Sequence, residues 1–276
     1  MNGISLAARA KINLYLEITS RLPNGYHTID TVMHRVGLCD TVTVEKAGTE
    51  IVLTCSDAAL PCDRRNLAYR AADVYRERFG IRDGVRIGLE KVIPQGAGLA
   101  GGSADAATVL CAMQELFCAA SDEQLHEMAA SLGADVPFCL TDGAARCTGI
   151  GEIMTPCDVL PPCSILILQG KEPVSTPQAY AAMDLTERSI RTENPMPSLL
   201  AAGDLTQICA GLYNAFEAIV PSCAADKETM MAYGALGALM SGSGSSVFGI
   251  FQSADTANEA KNRFLRDGRG AWVCRA

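Results

Sequence analysis

Lys91-Val-Ile-Pro-Gln-Gly-Ala-Gly-Leu-Ala-Gly-Gly-Ser-Ala-Asp-Ala-Ala107 is the stretch of this chain that decides its fold. Its four glycines follow an alternating strand pattern and precede an apolar helical pattern. Glycines let backbone N–H groups approach a phosphate, and a helix N-terminus adds about half a positive charge. The stretch therefore predicts a phosphate-binding loop, here called the first glycine loop (residues 94–103). A tight turn without a ligand is the alternative.

None of three common phosphate-loop templates describes this loop. The glycine spacing over residues 96–101 matches the dinucleotide fingerprint, but Pro94 interrupts the entry from the strand and Glu115 lies inside the predicted helix. The nucleotide P-loop needs a lysine where Gly102 stands. The protein-kinase loop lies between two strands, whereas this loop opens a helix. The sequence thus indicates a phosphate-binding loop of another kind.

The composition narrows the class of protein. The chain has 276 residues, of which 49% are apolar and 20% charged, as is typical of one or two soluble globular domains. Its net charge of −8 argues against general nucleic-acid binding. It contains no apolar run of about 18 residues and no signal-peptide core, so neither a membrane span nor export is expected.

Cysteine usage indicates a reducing compartment. None of the 12 cysteines lies in a C-x-x-C pair, and the chain has only 3 histidines, so no metal-ligand cluster is predicted. Many cysteines stand in apolar runs, where cysteine acts as a small hydrophobic residue. We therefore expect reduced thiols and a cytoplasmic protein.

Hydrophobic periodicity and capping residues predict a mixture of strands and helices. Strands are expected at residues 11–18, 31–38, 41–45, 51–54, 85–89, 164–168 and 271–274. Residues 144–152 are expected to form a strand that ends in a glycine turn, and residues 240–251 a loop that runs into a strand. Helices are expected at residues 67–78, 104–117, 122–132, 197–219, 222–234 and 255–267, with another helix carrying Tyr180. A proline cluster at residues 155–163 predicts a boundary between domains 1–157 and 158–276.

Three polar residues stand where a purely structural role is costly or odd. Lys11 and Asn13 are two apart on a predicted strand and therefore share one face. Asp135 lies in the apolar segment 133–138, where a carboxylate buried without a partner is unfavourable. An exposed strand face and a helix-capping aspartate are the ordinary explanations, and the pattern alone leaves both open.

Two further stretches carry turn and loop signals. Asn24-Gly25 is a hairpin-turn dipeptide that puts Tyr26 and His27 at the end of a hairpin. Residues 241–246, Ser-Gly-Ser-Gly-Ser-Ser, lie between apolar segments and lead into a strand. A flexible linker would not be enclosed in this way, so we treat residues 241–246 as a second glycine loop.

Together, four stretches resemble the GHMP small-molecule kinases. They are Ala10-Lys-Ile-Asn-Leu14 with Asn24-Gly-Tyr-His27; residues 94–103; Gly133-Ala-Asp-Val-Pro-Phe138; and Met240-Ser-Gly-Ser-Gly244 with Val247-Phe248. The two glycine loops are general to that superfamily. The other motifs resemble the branch that phosphorylates 4-diphosphocytidyl-2-C-methyl-D-erythritol.

The resemblance implies a fold and a reaction. The fold is α+β with two domains, a ribosomal-protein-S5-domain-2-like N-terminal domain and a ferredoxin-like C-terminal domain, with the active site between them. The implied reaction transfers the γ-phosphate of ATP to the 2-hydroxyl of the substrate and uses Mg²⁺.

The resemblance also implies roles for individual residues. Asp135 would take the proton of the substrate hydroxyl, and Lys11 beside it would keep that carboxylate ionised and stabilise the transferring phosphoryl group. Asn66 would face the adenine, Lys91 could reach either nucleotide, and Ser103 would contact magnesium. The residues expected to hold the triphosphate are Pro94, Gln95, Gly96, Ala97, Gly98, Leu99, Ala100, Gly101, Gly102 and Ser103.

For the substrate, the resemblance implies that Tyr26 and Tyr180 sandwich the cytosine while His27 reads its polar edge. Asn13 and Thr176 would contact the polar groups near the erythritol and the diphosphate. Tyr180 replaces a phenylalanine of relatives and keeps the stacking face.

The chain departs from the family pattern within the loop and the start of its helix. Ala100 stands where many members carry glycine, and Ala104-Asp105 replaces the commoner Ser-Asn. A carboxylate near a triphosphate is repulsive unless it caps, points away or helps to hold metal.

Two alternatives remain at this point. A sister kinase acting on mevalonate, homoserine or a sugar would not need Tyr26, His27 and Tyr180. A non-catalytic nucleotide-binding module would not need Lys11, Asp135 and both glycine loops. The expected partners are a small-molecule substrate and, for a homodimer instead of a monomer, a second copy of the chain; no nucleic acid or membrane is expected.

Overall fold

The computed structural model describes residues 3–171 and 174–276. Its strands are β1 Ile4–Arg21, β2 His27–Lys46, β3 Ile51–Cys55, β4 Val85–Glu90, β5 Ala144–Thr148, β6 Ile153–Cys157, β7 Ser164–Leu168, β8 Tyr213–Asn214, β9 Gly237–Met240, β10 Val247–Phe251 and β11 Ala271–Arg275. Its α-helices are α1 Leu67–Phe79, α2 Gly101–Phe117, α3 Asp122–Leu132, α4 Val136–Cys139, α5 Thr176–Asp184, α6 Met196–Ala202, α7 Leu205–Ala210, α8 Cys223–Ala232 and α9 Ala254–Arg266. Among the described residues, no helix is long and apolar enough to cross a lipid bilayer.

The internal contacts of the chain divide it into two compact units. The first unit contains residues 1–10, 39–93 and 100–142, and the second contains residues 11–38, 94–99 and 143–276. The long strands β1 and β2 contribute residues to both units, and so does the first glycine loop. The domain boundary at residues 157 and 158 stays a prediction.

The first unit packs helices on one face of a sheet. Strand β4 pairs in parallel with β3 and antiparallel with residues 41–46 of β2. Along β4, Val85, Ile87 and Leu89 are buried while Arg86 and Glu90 are exposed, so the predicted period of two is confirmed. The buried side chains form one core with the apolar faces of α1, α2 and α3.

The helices of the first unit begin and end at the predicted capping residues. Asn66 caps α1 by accepting a hydrogen bond from Ala68 N, and Gly80 ends that helix in a left-handed conformation. Ser121 and Gln124 form the predicted capping box of α3. Helix α2 begins at Gly101, three residues before the predicted start, and most of its length is buried.

The second unit contains a four-stranded antiparallel sheet in the order β11-β7-β10-β9. All five residues of both β7 and β10 are buried. Helices α8 and α9 share a core with this sheet, to which residues 16 and 18 of β1 also belong. In the same unit, β1 pairs in parallel with β8, and β5 pairs with β2 and β6.

Two sequence predictions of secondary structure are corrected. The predicted helix 197–219 is interrupted, because Gly203 adopts φ +71° and Asp204 caps a new helix, α7. Beyond α7 the chain forms β8 and a 3-10 turn. The strands predicted at 31–38 and 41–45 are one strand, β2, and residues 153–157 form a strand, β6, that was not predicted.

A buried carboxylate fixes the segment that follows α5. Glu17 on β1 pairs with the Arg188 guanidinium, and its other oxygen accepts from Arg191 N at 2.9 Å and Tyr213 Oη at 3.2 Å. A buried charge is tolerated only when it is paired and hydrogen-bonded, and Glu17 meets both conditions. The network therefore anchors the residues after α5 to β1.

Candidate functional site

In the second unit, residues 94–99 of the first glycine loop lie against the second glycine loop. Ser241 Oγ donates to the Gly98 carbonyl at 2.9 Å, and Ser246 N donates to the Ala97 carbonyl at 3.3 Å. Gly98 has φ +73°, and a Cβ on it would overlap the Ser241 carbonyl oxygen. Only glycine fits this contact, so the close approach of two backbones explains a loop glycine that the sequence marked as functional.

Lys11 lies beside this pair of loops. Its backbone N–H donates to the Leu99 carbonyl at 3.1 Å, and a Cβ placed on Gly242 would be 3.3 Å from Lys11 Nζ. The Lys11 side chain is buried, and Nζ donates to Asn13 Oδ1 at 2.6 Å. An ammonium has three hydrogens, and one neutral amide oxygen does not compensate a buried charge. The position is therefore suited to an anion such as a phosphate.

Asn13 is held as a partner of Lys11. Its amide nitrogen donates to Thr31 Oγ1 at 2.8 Å, and that hydroxyl donates to the Tyr15 carbonyl at 2.6 Å. This chain of hydrogen bonds orients the Asn13 oxygen towards the ammonium. The shared face of Lys11 and Asn13 is thus confirmed as a buried polar face, not an exposed one.

Asn214 shapes the second glycine loop and was not found by sequence reasoning. Its buried amide nitrogen donates to the carbonyls of Met240 at 2.7 Å and Gly242 at 2.8 Å, while its oxygen accepts from Phe216 N at 3.0 Å. Glu217 accepts from Met240 N at 2.9 Å. Asn214 and Glu217 both lie in the predicted helix 197–219, and these two polar residues were the only sequence signal of this role.

In the first unit, the remainder of the first glycine loop opens α2. Gly101, Gly102 and Ser103 are the first residues of the helix, and the N-cap residue Ala100 provides no side-chain hydrogen bond. The first N–H groups of a helix lack partners within it, so this terminus can hold an anion. Ala100 adopts φ +55°, a left-handed conformation that glycine adopts at lower cost than alanine.

Lys91 is engaged by two carboxylates of the first unit. Its Nζ contacts Asp40 and lies 2.5 Å from Asp105 Oδ2, and all three side chains are buried. Asp40 also accepts from the backbone N–H groups of Val92 at 2.5 Å and Ile93 at 2.8 Å. The carboxylate of Asp105 therefore partners Lys91 instead of capping the helix, and Asp40 is a second residue that the sequence did not reveal.

Burial dominates the electrostatics of this trio. It raises the pKa of Asp105 to about 7, against the opposing effect of the Lys91 ammonium. Burial alone would lower the pKa of Lys91, but the charges and hydrogen bonds of Asp105 and Asp40 raise it. The ammonium thus stays charged, and Asp105 is the member that takes up a proton near neutrality.

Asn66 and Asp135, the predicted adenine contact and the predicted catalytic base, also lie in the first unit. The Asn66 amide is used at both ends, since its oxygen caps α1 and its nitrogen donates to the Pro61 carbonyl at 2.9 Å. Asp135 occupies the N-cap position of α4 without a capping hydrogen bond from its side chain. Capping is therefore not the reason for this half-buried carboxylate.

The residues predicted to bind the cytosine lie in the second unit. The His27 ring stacks on Tyr180, with centroids 4.7 Å apart and an interplanar angle of 17°. His27 Nε2 lies 2.7 Å from Asp184 Oδ1. Tyr26 is 61% exposed. The structure thus brings Tyr180 and His27 together, whereas the predicted sandwich by Tyr26 and Tyr180 stays a prediction.

Thr176 connects α5 to the second glycine loop. Its hydroxyl is 3.0 Å from Ser243 Oγ, and Ser243 is buried. Ser175 occupies the N-cap position of α5 but makes no side-chain capping bond. The Thr176 hydroxyl therefore faces the second glycine loop, which lies beside Lys11.

Comparison with known proteins identifies related families. The model described as GHMP kinases N terminal domain matches residues 66–143, and that described as GHMP kinases C terminal matches residues 198–270. A 4-diphosphocytidyl-2-C-methyl-D-erythritol kinase of Caldicellulosiruptor bescii is 42% identical over 94% of this chain and 93% of its own. The kinase of the same name from Symbiobacterium thermophilum is 40% identical over 99% of both chains.

Solved structures give the same result for the fold. A crystal structure of 4-(cytidine 5'-diphospho)-2C-methyl-D-erythritol kinase has a TM-score of 0.84 and 37% identity, covering 99% of this chain and 98% of the other. Homoserine kinase from Cytophaga hutchinsonii has a TM-score of 0.74 at 19% identity, covering 100% of this chain and 95% of its own, a likeness of fold alone. The predicted two-domain α+β fold is confirmed.

Proposed function

This chain belongs to the GHMP kinases, within the family of the 4-diphosphocytidyl-2-C-methyl-D-erythritol kinases, and from this membership we propose its reaction. It transfers the γ-phosphate of ATP to the 2-hydroxyl of 4-diphosphocytidyl-2-C-methyl-D-erythritol, in the non-mevalonate synthesis of isoprenoid precursors. The observation that carries the proposal is similarity over nearly the whole chain to kinases named for this substrate. Homoserine and mevalonate kinases share the fold at much lower identity.

Lys11 and Asp135 carry the chemistry. Asp135 takes the proton of the attacking hydroxyl, and its carboxylate is available because it does not cap α4. Lys11 stabilises charge on the transferring phosphoryl group. Its buried ammonium, with an amide oxygen as neighbour, gains most from an anionic ligand. Phosphoryl transfer asks a protein mainly for such positioning and charge stabilisation.

The first glycine loop binds the triphosphate of ATP. Its residues 94–99 are fixed by the second glycine loop, and its residues 100–103 end at the uncapped N-terminus of α2. Backbone N–H groups and the helix dipole supply the attraction that a P-loop lysine supplies in other nucleotide-binding proteins. Lys91 is paired with Asp40 and Asp105, and through Asp105 it is connected to the start of α2. Asn66, at the start of α1, faces the adenine of ATP.

Magnesium, an oxygen-seeking cation, would be held by oxygen donors at the start of α2. The hydroxyl of Ser103 on α2 is a suitable ligand, and Asp105 Oδ1 on the same helix is buried and accepts no hydrogen bond from the described residues. Oxygen donors of these types fit the ion. When bound, the ion would supply positive charge beside the triphosphate.

The cytidine end of the substrate is recognised in the second unit. Tyr26 and Tyr180 provide stacking faces, and His27 supplies the hydrogen bond that distinguishes one base from another. Asn13 and Thr176 contact the erythritol and diphosphate groups. The enzyme acts on a small molecule in the cytoplasm as a monomer or homodimer, and its acidic charge argues against a nucleic-acid partner.

A coupled ATP assay tests this function. The protein is offered the diphosphocytidyl substrate, mevalonate or homoserine, with and without Mg²⁺. We expect turnover of the first substrate only, and turnover of mevalonate or homoserine alone would replace the proposal by the sister-kinase alternative. Absence of turnover with all three would favour a non-catalytic module.

The base role of Asp135 has its own test. Asp135→Asn is expected to lower kcat by about 10²–10⁴-fold, as for removal of a general base. Asp142→Asn is the matched control, because Asp142 is an exposed aspartate seven residues further along the chain. A loss of less than about tenfold in Asp135→Asn would remove the base role from Asp135.

A further inference from the structure

Asp184, which no sequence motif marked, holds the imidazole of His27. Tyr180 and Asp184 are four residues apart on α5 and therefore share one face of that helix. Tyr180 stacks on the His27 ring, and Asp184 Oδ1 lies 2.7 Å from Nε2. The face of the ring and one nitrogen are thus fixed by a single helix.

The contact with Asp184 decides which nitrogen of neutral His27 carries the hydrogen. An ionised carboxylate only accepts, so Nε2 must donate. The hydrogen bond from His27, aided by Arg21 3.4 Å away, lowers the pKa of Asp184 and keeps it ionised. His27 Nδ1 then bears a lone pair, and it makes no hydrogen bond with the described residues. Nδ1 is therefore an acceptor available to a ligand.

An acceptor at this position distinguishes between pyrimidines. Cytosine presents an exocyclic amino group, which donates, where uracil presents a carbonyl oxygen, which accepts. We propose that Asp184 is a positioning residue for base selection: by holding His27 with its hydrogen on Nε2, it makes Nδ1 pair with the amino group of cytosine and reject the carbonyl of uracil. The inference rests on the proposed function, in which His27 faces the base.

Binding of CDP and UDP by isothermal calorimetry tests the proposal without turnover. The wild type is expected to bind CDP at least about tenfold more tightly than UDP, since a site built for one hydrogen bond rejects the mismatched partner. Asp184→Asn keeps the shape but admits both tautomers, because an amide both donates and accepts. We expect its CDP-to-UDP ratio to fall to within about threefold of one.

Two variants separate base selection from structural effects. Asp184→Glu restores an acceptor-only partner and is expected to keep the preference for CDP. Asp267→Asn removes one charge from an ion pair with Arg263 at 2.9 Å, on the last helix of the same unit, and is expected to keep the preference too.

With the diphosphocytidyl substrate, Asp184→Asn should raise KM and change kcat by less than about threefold, because the contact acts on binding.

Nitrogen-15 spectra of the imidazoles report the tautomer directly. The chain has 3 histidines, and the His27 signals are assigned by their loss in His27→Gln. We expect hydrogen on Nε2 in the neutral wild-type ring and a mixture of tautomers in Asp184→Asn.

The results of these experiments distinguish a wrong role for Asp184 from a wrong substrate. Hydrogen on Nδ1 in the wild type, or equal losses of CDP and UDP affinity in Asp184→Asn, overturns the positioning role alone. Failure of the wild type to bind either nucleotide overturns the proposed substrate and this inference with it.

Discussion

The buried trio of Lys91, Asp40 and Asp105 makes a prediction that pH can test. Two carboxylates share one ammonium, and Asp105 Oδ1 accepts no hydrogen bond from the described residues. Asp105→Asn removes one charge and keeps the shape of the side chain. The Lys91–Asp40 pair that remains is neutral, so the variant no longer has to bury an excess negative charge.

The magnitude follows from the pKa of Asp105. Burial raises this pKa from 3.8 to about 7 in the folded protein, whereas in the unfolded chain the carboxyl has its ordinary value. Between these two values the folded state holds a proton that the unfolded state has lost, so stability decreases as pH rises through this window. Each pH unit corresponds to about 1.4 kcal/mol, so from pH 5 to pH 7 the decrease is about 3 kcal/mol.

Asparagine does not titrate, so the variant lacks this decrease. We expect the stability advantage of Asp105→Asn over the wild type to increase by about 3 kcal/mol between pH 5 and pH 8, and the two unfolding free energies to converge only below the ordinary carboxyl pKa of 3.8. Urea unfolding followed by far-ultraviolet circular dichroism at both pH values measures the difference. Asp267→Asn, which removes a half-exposed carboxylate, is the control and should show no comparable change.

The opposite result would be equally clear. If the wild type is as stable as Asp105→Asn at pH 8, attraction between Lys91 and Asp105 outweighs the burial of the second carboxylate. The reasoning that places a titrating proton on Asp105 would then be wrong.

Two glycine-related substitutions give further predictions. Ala100→Gly should raise the unfolding free energy by up to about 1 kcal/mol in urea unfolding, because relief of φ +55° exceeds the added chain entropy; destabilisation would contradict this. Gly98→Ala should lower it by more than about 2 kcal/mol and weaken ATP binding in calorimetry, since its methyl group would meet the Ser241 carbonyl. Gly203→Ala is the control, because Gly203 has φ +71° but open space around it. If Gly203→Ala lowers the unfolding free energy as much as Gly98→Ala does, the backbone conformation alone explains the loss and the contact with Ser241 does not.

Local rules were sufficient for much of the fold. The alternation along β4, the caps of α1 and the capping box of α3 each depend on residues within a few positions of one another, and all three are confirmed. The predicted helix 197–219 was wrong because it was based on apolar content. Gly203, which ends one helix, and Asp204, which starts the next, were not taken into account. Resemblance to a family supplied the roles of the site residues, which stay predictions.

The sequence by itself determined the class of protein, the type of fold and the presence of a glycine loop opening a buried helix. The class and the fold follow from the resemblance to a family, whereas the loop and its helix follow from periodicity and backbone preferences, which are local properties of the chain. Only the tertiary structure decided the partners of the polar side chains. Asp184 meets His27 across 157 positions and Asp40 meets Lys91 across 51, and no spacing rule relates residues so far apart. A buried charge must find its partner wherever the folded chain brings one, so these pairings exist only once the core has formed.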